Sequence, residues 1–81
     1  MKILILPNKN GVCPEVMRSV ELLRKGVKVT DAQRRMIVWI PVGNVEHGEM
    51  VRDILTRVIQ EGNRAVQPDW SFLPDVKVAS N

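Results

Sequence analysis

Cys13 and His47 are the only cysteine and histidine in this chain of 81 residues, and with the carboxylates they are the natural candidates for chemistry. Cys13 precedes Pro14 where a helix is expected to begin, and a thiol at a helix N-terminus is well placed to ionise. A nucleophile also needs a base within hydrogen-bond reach. His47 belongs to a different predicted helix, and there is no second cysteine. Cys13 shares an apolar stripe with Val16, Met17, Val20 and Leu23 and reads as a small buried hydrophobe. His47 lies on the apolar stripe of its own helix and reads as a partly buried, hydrogen-bonded core residue. One Cys and one His at this spacing do not spell a zinc site. Glu46, Glu49 and Asp53 are expected on the solvated side of their helix, as solubility charges and not as an acid/base pair. The stretch PNKNGV (7–12) has Lys9 and Gly11 but not the glycine spacing of a phosphate loop. No catalytic, cofactor or metal site is expected, and the chain reads as non-enzymatic.

These residues must be positioned by few elements. Residues 2–6 (KILIL) read as a strand ending at Pro7. A helix follows over 13–25, with Pro14 in its first turn, Glu15 near its positive end, Arg24 and Lys25 in its last turn and Gly26 as a left-handed cap. Val27 and Val29 alternate with Lys28 and Thr30, then 31–34 turn the chain, and 35–41 form a β-rich central strand. The rival for 31–40 is a helix capped by Thr30, with Gln33 completing a capping box. Asn44 caps a second helix of about 17 residues that ends at Gly62, with His47, Met50, Val51, Ile54, Leu55 and Val58 on one face. Asp53 and Arg57 are spaced for an i,i+4 pair on its exposed side. A final strand is expected over Val76 to Ala79.

The order β-α-β-β-α-(β) predicts a small α+β, ferredoxin-like sandwich with two helices on one face of an antiparallel sheet. Residues 1–66 are the single core domain, and 67–81 a C-terminal tail packed on the core or on a partner subunit. Two helices leave the second sheet face uncovered, and Trp70, Phe72 and Leu73 are the apolar material able to reach it.

Asn8, Gly11, Val16, Leu22, Leu23 and Gly26 spell an N-x-x-G-V, a valine, a leucine pair and a glycine before a strand. This resembles the opening of ACT-type ligand-sensing domains, although the predicted helix is longer than that family's spacing. The resemblance implies a small-molecule site edged by 8–12 at a dimer interface.

The net charge of +3 is uneven. Residues 1–44 carry eight Lys/Arg against three acids, and 45–81 four against six. No apolar run approaches the roughly 20 residues that span a bilayer, and 3–7 is too short for the apolar core of a signal peptide. A lone cysteine suits a reducing compartment. A cytoplasmic protein with no membrane partner is expected.

Three functions follow. The leading one is a regulator or inhibitor that covers the surface of a larger protein, or of a second copy of itself, through Trp39, Trp70, Phe72 and Leu73. The second is a nucleic-acid-binding regulator, with Arg24, Lys25, Lys28, Arg34 and Arg35 meeting phosphates or an acidic partner, and Trp39 stacking a base from an open sheet face. The third is the ACT-like sensor.

Overall fold

The structure is a computed structural model describing residues 2–8 and 10–73; the strand expected over 76–79, and Lys9, lie outside the described residues. It contains five strands, one α-helix and two short 3-10 turns. Strands β1 (Leu4–Ile5) and β2 (Gly11–Val12) form an antiparallel hairpin, with Leu4 opposite Val12 and Ile5 opposite Gly11. A 3-10 turn at Pro14–Val16 leads into a meander of β3 (Ser19–Leu23), β4 (Gly26–Thr30) and β5 (Met36–Pro41). Helix α1 (Val45–Glu61) packs across β3 and β4.

The ferredoxin-like expectation is overturned: among the described residues the strands form separate sheets of two and three, and there is one α-helix, not two. The error lies in residues 13–25. The start signals are real, since Pro14 and Glu15 occupy the first turn of a helix, but that helix is a single 3-10 turn. It stops at Met17, which is fully buried and whose N–H reaches back to the Pro14 carbonyl. The next five residues alternate with period two. Val20 and Leu22 pack on the core while Ser19, Glu21 and Leu23 are exposed. Gly26 is not a left-handed cap, because Gly62 is the only glycine with positive φ among the described residues. Arg24 and Lys25 are instead the two-residue connection of the β3–β4 hairpin, in which Leu23 faces Gly26. Of the residues carrying the ACT resemblance, only Val16 is helical, in the 3-10 turn, and Leu22, Leu23 and Gly26 lie in the β3–β4 hairpin.

Residues 36–41 do form a strand, but β5 is an edge of the meander, and β4 is its centre. Helix α1 has the expected bounds. Asn44 accepts the His47 N–H at 2.8 Å, and Gly62 ends the helix at φ 56. The anticipated Asp53–Arg57 pair is replaced by Arg52–Asp53 at 3.2 Å.

One core joins these pieces. Val27 and Val29 of β4 and Val38 and Ile40 of β5 meet Val51, Leu55 and Val58 of α1. Leu4, Leu6 and Val12 of the first hairpin complete it, while Ile3 and Ile5 point outward and are about half exposed. Residues 67–73 return along β1. Ile5 faces away from its β2 ladder, and its N–H donates to Gln67 Oε1 at 2.7 Å while its carbonyl accepts from Gln67 Nε2 at 2.9 Å and Trp70 Nε1 at 2.7 Å. A side-chain amide thus substitutes for a neighbouring strand on an edge that would otherwise be unpaired. Trp70 and Leu73 are buried behind it.

Candidate binding surface

Because side chains of directly opposed residues lie on one face of a sheet, the register of the meander defines its outer surface as three rows. Leu23, Gly26 and Pro41 form one end, Glu21, Lys28 and Trp39 the middle, and Ser19, Thr30 and Met36 the other end. A register shift between Val29 and Thr30 brings Met36, not Ile37, opposite Thr30, which places Met36 on this face. Ser19, Glu21, Leu23, Met36 and Pro41 are exposed, and Lys28, Thr30 and Trp39 are half-buried. The helix lies on the opposite side.

Trp39 is the largest side chain on the surface. Its ring lies over Gly26: a Cβ added there would sit 2.7 Å from Cζ2 and 3.0 Å from Cε2, and 2.6 Å from the Ile40 carbonyl oxygen. Glycine is required here for close approach and not for backbone conformation. The Trp39 carbonyl, on the open edge of β5, accepts from Asn8 Nδ2 at 3.3 Å. The polar groups on the face pair with one another. Lys28 Nζ is 3.4 Å from Glu21 Oε1, and the Ser19 and Thr30 hydroxyls share a hydrogen bond.

Cationic turns lie at both ends of β4. Arg24 and Lys25 form the β3–β4 connection and are exposed. The β4–β5 loop is organised by Asp31. Its Oδ1 accepts the N–H groups of Gln33 and Arg35, each at 2.9 Å, and its Oδ2 lies 3.3 Å from Arg35 Nε. The Arg35 backbone N–H, followed by that of Gln33 and the Arg35 guanidinium, holds the Asp31 carboxyl below its ordinary value. The loop sets Arg34 at φ 65, the one non-glycine residue with positive φ among those described. Arg24, Lys25 and Arg34 have no carboxylate partner among the described residues.

Of the residues singled out from the sequence, Trp39, Lys28, Arg24, Lys25, Arg34 and Arg35 thus share the outer face and its two ends. Trp70, Phe72 and Leu73 do not. Trp70 and Leu73 are each 7% exposed within the core, and Phe72 lies between Trp70 and His47, its ring centre 6.0 Å from the imidazole. Cys13, expected to be buried, is half-exposed with Sγ 3.6 Å from Glu15 Oε1. Asn8 and Gly11 belong to the β1–β2 hairpin, where Asn8 Oδ1 accepts the Asn10 N–H, so this loop does not lead into a helix. No group of three or more His, Cys, Asp or Glu placed to hold a metal occurs among the described residues. A separate groove of about 170 Å³ lies between α1 and residues 66–69, lined by Ile54, Arg57, Val58, Glu61, Val66, Pro68 and Asp69.

Leu23, Met36 and Pro41 were missed as surface residues. For Leu23 the signal was present in pairwise form: 19–23 (SVELL) and 30–26 (TVKVG, reversed) match hydroxyl to hydroxyl, apolar to apolar and acid to base about Arg24-Lys25. No family model, curated protein or solved structure matches this chain.

Proposed function

We propose that this chain is a non-enzymatic interaction module that acts by surface binding, with the outer face of the β3–β4–β5 sheet as its contact surface and a polyanion as its partner. One observation supports this above others: the sheet face opposite α1 holds Trp39 between two turns whose Arg24, Lys25 and Arg34 lack carboxylate partners among the described residues. Aromatic and arginine side chains are favoured at interface centres, and uncompensated charge steers an oppositely charged partner toward the face. The partner-binding roles expected of Trp70 and Leu73 are not carried forward, because their area is already buried within the chain.

The test is a titration of the isotope-labelled chain with a short oligothymidylate and, separately, a poly-glutamate peptide, at about 50 mM salt where such contacts are strong. Amide shift changes should cluster in residues 19–30 and 34–41. Changes centred on Arg52 and Arg57 of α1, or no change with either polymer, would refute this choice of surface.

A further inference from the structure

We infer that the outer sheet face takes single-stranded nucleic acid, laid along β4 with a base stacked on Trp39 and phosphates at the two cationic turns. This rests on the reading of that face as the contact surface and names its occupant.

The shape selects a single strand. Three strands at about 4.8 Å spacing and five residues at about 3.3 Å each make a platform of roughly 10 by 17 Å. Entry into the major groove of a duplex requires a projecting helix or two-stranded ribbon. Here the helix is on the far side of the sheet, and the central strand, not an edge, carries Lys28 between the cationic ends. A platform with an aromatic ring is instead the geometry on which unstacked bases settle. Its length suits about four nucleotides, the lower end of the range for single-strand-binding folds.

The charge pattern fits a chain with regularly spaced anions. Arg24 and Lys25 lie at one end of β4 and Arg34 at the other, where Arg35 is engaged by Asp31, and Glu21, the one acid on the face among the described residues, is engaged by Lys28. An acidic peptide would satisfy the same cations but would leave the Trp39 ring without a planar partner. The platform also offers little with which to read base edges, because Lys28 pairs with Glu21 and Ser19 with Thr30. Binding should therefore be tolerant of sequence.

The backbone of the β4–β5 loop agrees. Arg34 occupies a left-handed conformation at φ 65 that glycine would adopt more readily. A cationic side chain held where glycine would cost less is consistent with a use for its charge.

The experiment is a fluorescence titration of the full chain with a short oligothymidylate, a duplex of equal length and a poly-glutamate peptide. Oligothymidylate should quench the indole emission in the wild type but not in Trp39→Phe, which keeps only Trp70 as emitter. Trp39→Ala should weaken binding roughly 5- to 150-fold, the range set by loss of one stacked base. Arg24→Gln with Lys25→Gln should reduce the slope of log affinity against log salt by about 1.4, at about 0.7 per phosphate contact on a single strand. Oligoadenylate should bind within about tenfold of oligothymidylate if recognition is by stacking. Arg34→Gln and the turn variants lie at exposed positions, so the test stands even if Trp39→Ala does not fold.

Duplex binding as tight as single-strand binding, or oligothymidylate binding without quenching of Trp39, would overturn the inference. If poly-glutamate alone bound, and the turn variants weakened it, the occupant would be an acidic protein and the contact surface would still stand. Failure of all three polymers would remove both readings.

Discussion

Arg34→Gly should make this protein more stable while removing a cation from its surface. Arg34 sits at φ 65, where a Cβ crowds the backbone at a cost of about 1–2 kcal/mol for an L-residue. Glycine removes that cost but loses more conformational freedom on folding, about 0.5–1 kcal/mol. The difference leaves a net gain of about 0.5–1 kcal/mol. The loop's own bonds are unaffected, since the Arg34 N–H donates to the Asp31 carbonyl at 3.0 Å and belongs to the backbone. For a domain of this size the gain corresponds to a rise of roughly 2–8 °C in Tm. Arg34→Ala is the control. It loses the same side-chain charge but keeps the Cβ, so its Tm should stay within about 1 °C of wild type. The assay is thermal unfolding followed by circular dichroism at fixed pH and salt. If Arg34→Gly melts no higher than Arg34→Ala, the backbone at this position is not strained and the reasoning fails. A stabilised glycine variant that binds oligothymidylate as weakly as Arg34→Ala would show that the side chain, kept at a cost in stability, serves the surface's task.

Gly26→Ala should cost about 1–3 kcal/mol by overpacking, because the new methyl would meet the Ile40 carbonyl, which cannot swing aside, as well as the Trp39 ring; an unchanged urea midpoint would contradict the close approach. Truncation after Val66 removes Gln67, Trp70 and Leu73, and the lost burial of the last two alone is about 3–6 kcal/mol, a large share of the 5–15 kcal/mol typical of a domain. A truncated chain with wild-type Tm would show that the return along β1 contributes nothing. Asn44→Ala should lower stability by about 1 kcal/mol through loss of the cap on the His47 N–H, read from urea unfolding. Asp31 adds a pH dependence. Its folded value lies below the ordinary 3.8, so its contribution is fully present above that value and is lost as pH falls through the lowered one. An acid-unfolding profile of Asp31→Asn should be flatter than wild type below about pH 4, and coincident profiles would deny the loop its anchor.

Helix α1 and strand β5 were readable residue by residue because their signals are local. Asn44 caps its own helix, Gly62 supplies a positive φ at its end, and the apolar positions between them recur at the helical period. In 36–41 the β-branched residues favoured an extended chain without reference to anything distant. Residues 13–25 carried local signals for a helix too, and those signals lost. Their apolar positions fit both periods, with Val20 common to both. The deciding contribution is cross-strand: Val20 against Val29, Glu21 against Lys28 and Leu22 against Val27, contacts that exist only once β4 is alongside. The same holds for the candidate surface. The composition showed a tryptophan and an excess of cations in the first half of the chain, but which of them share a face follows from register and from the shift that brings Met36 opposite Thr30. Only the tertiary structure separated the two tryptophans. Trp70 is drawn into the core because Ile5 presents an unpaired backbone edge that Gln67 and the Trp70 indole N–H satisfy, whereas Trp39, one residue from the buried Val38 and Ile40 on either side, is turned to the opposite face by the alternation of its strand.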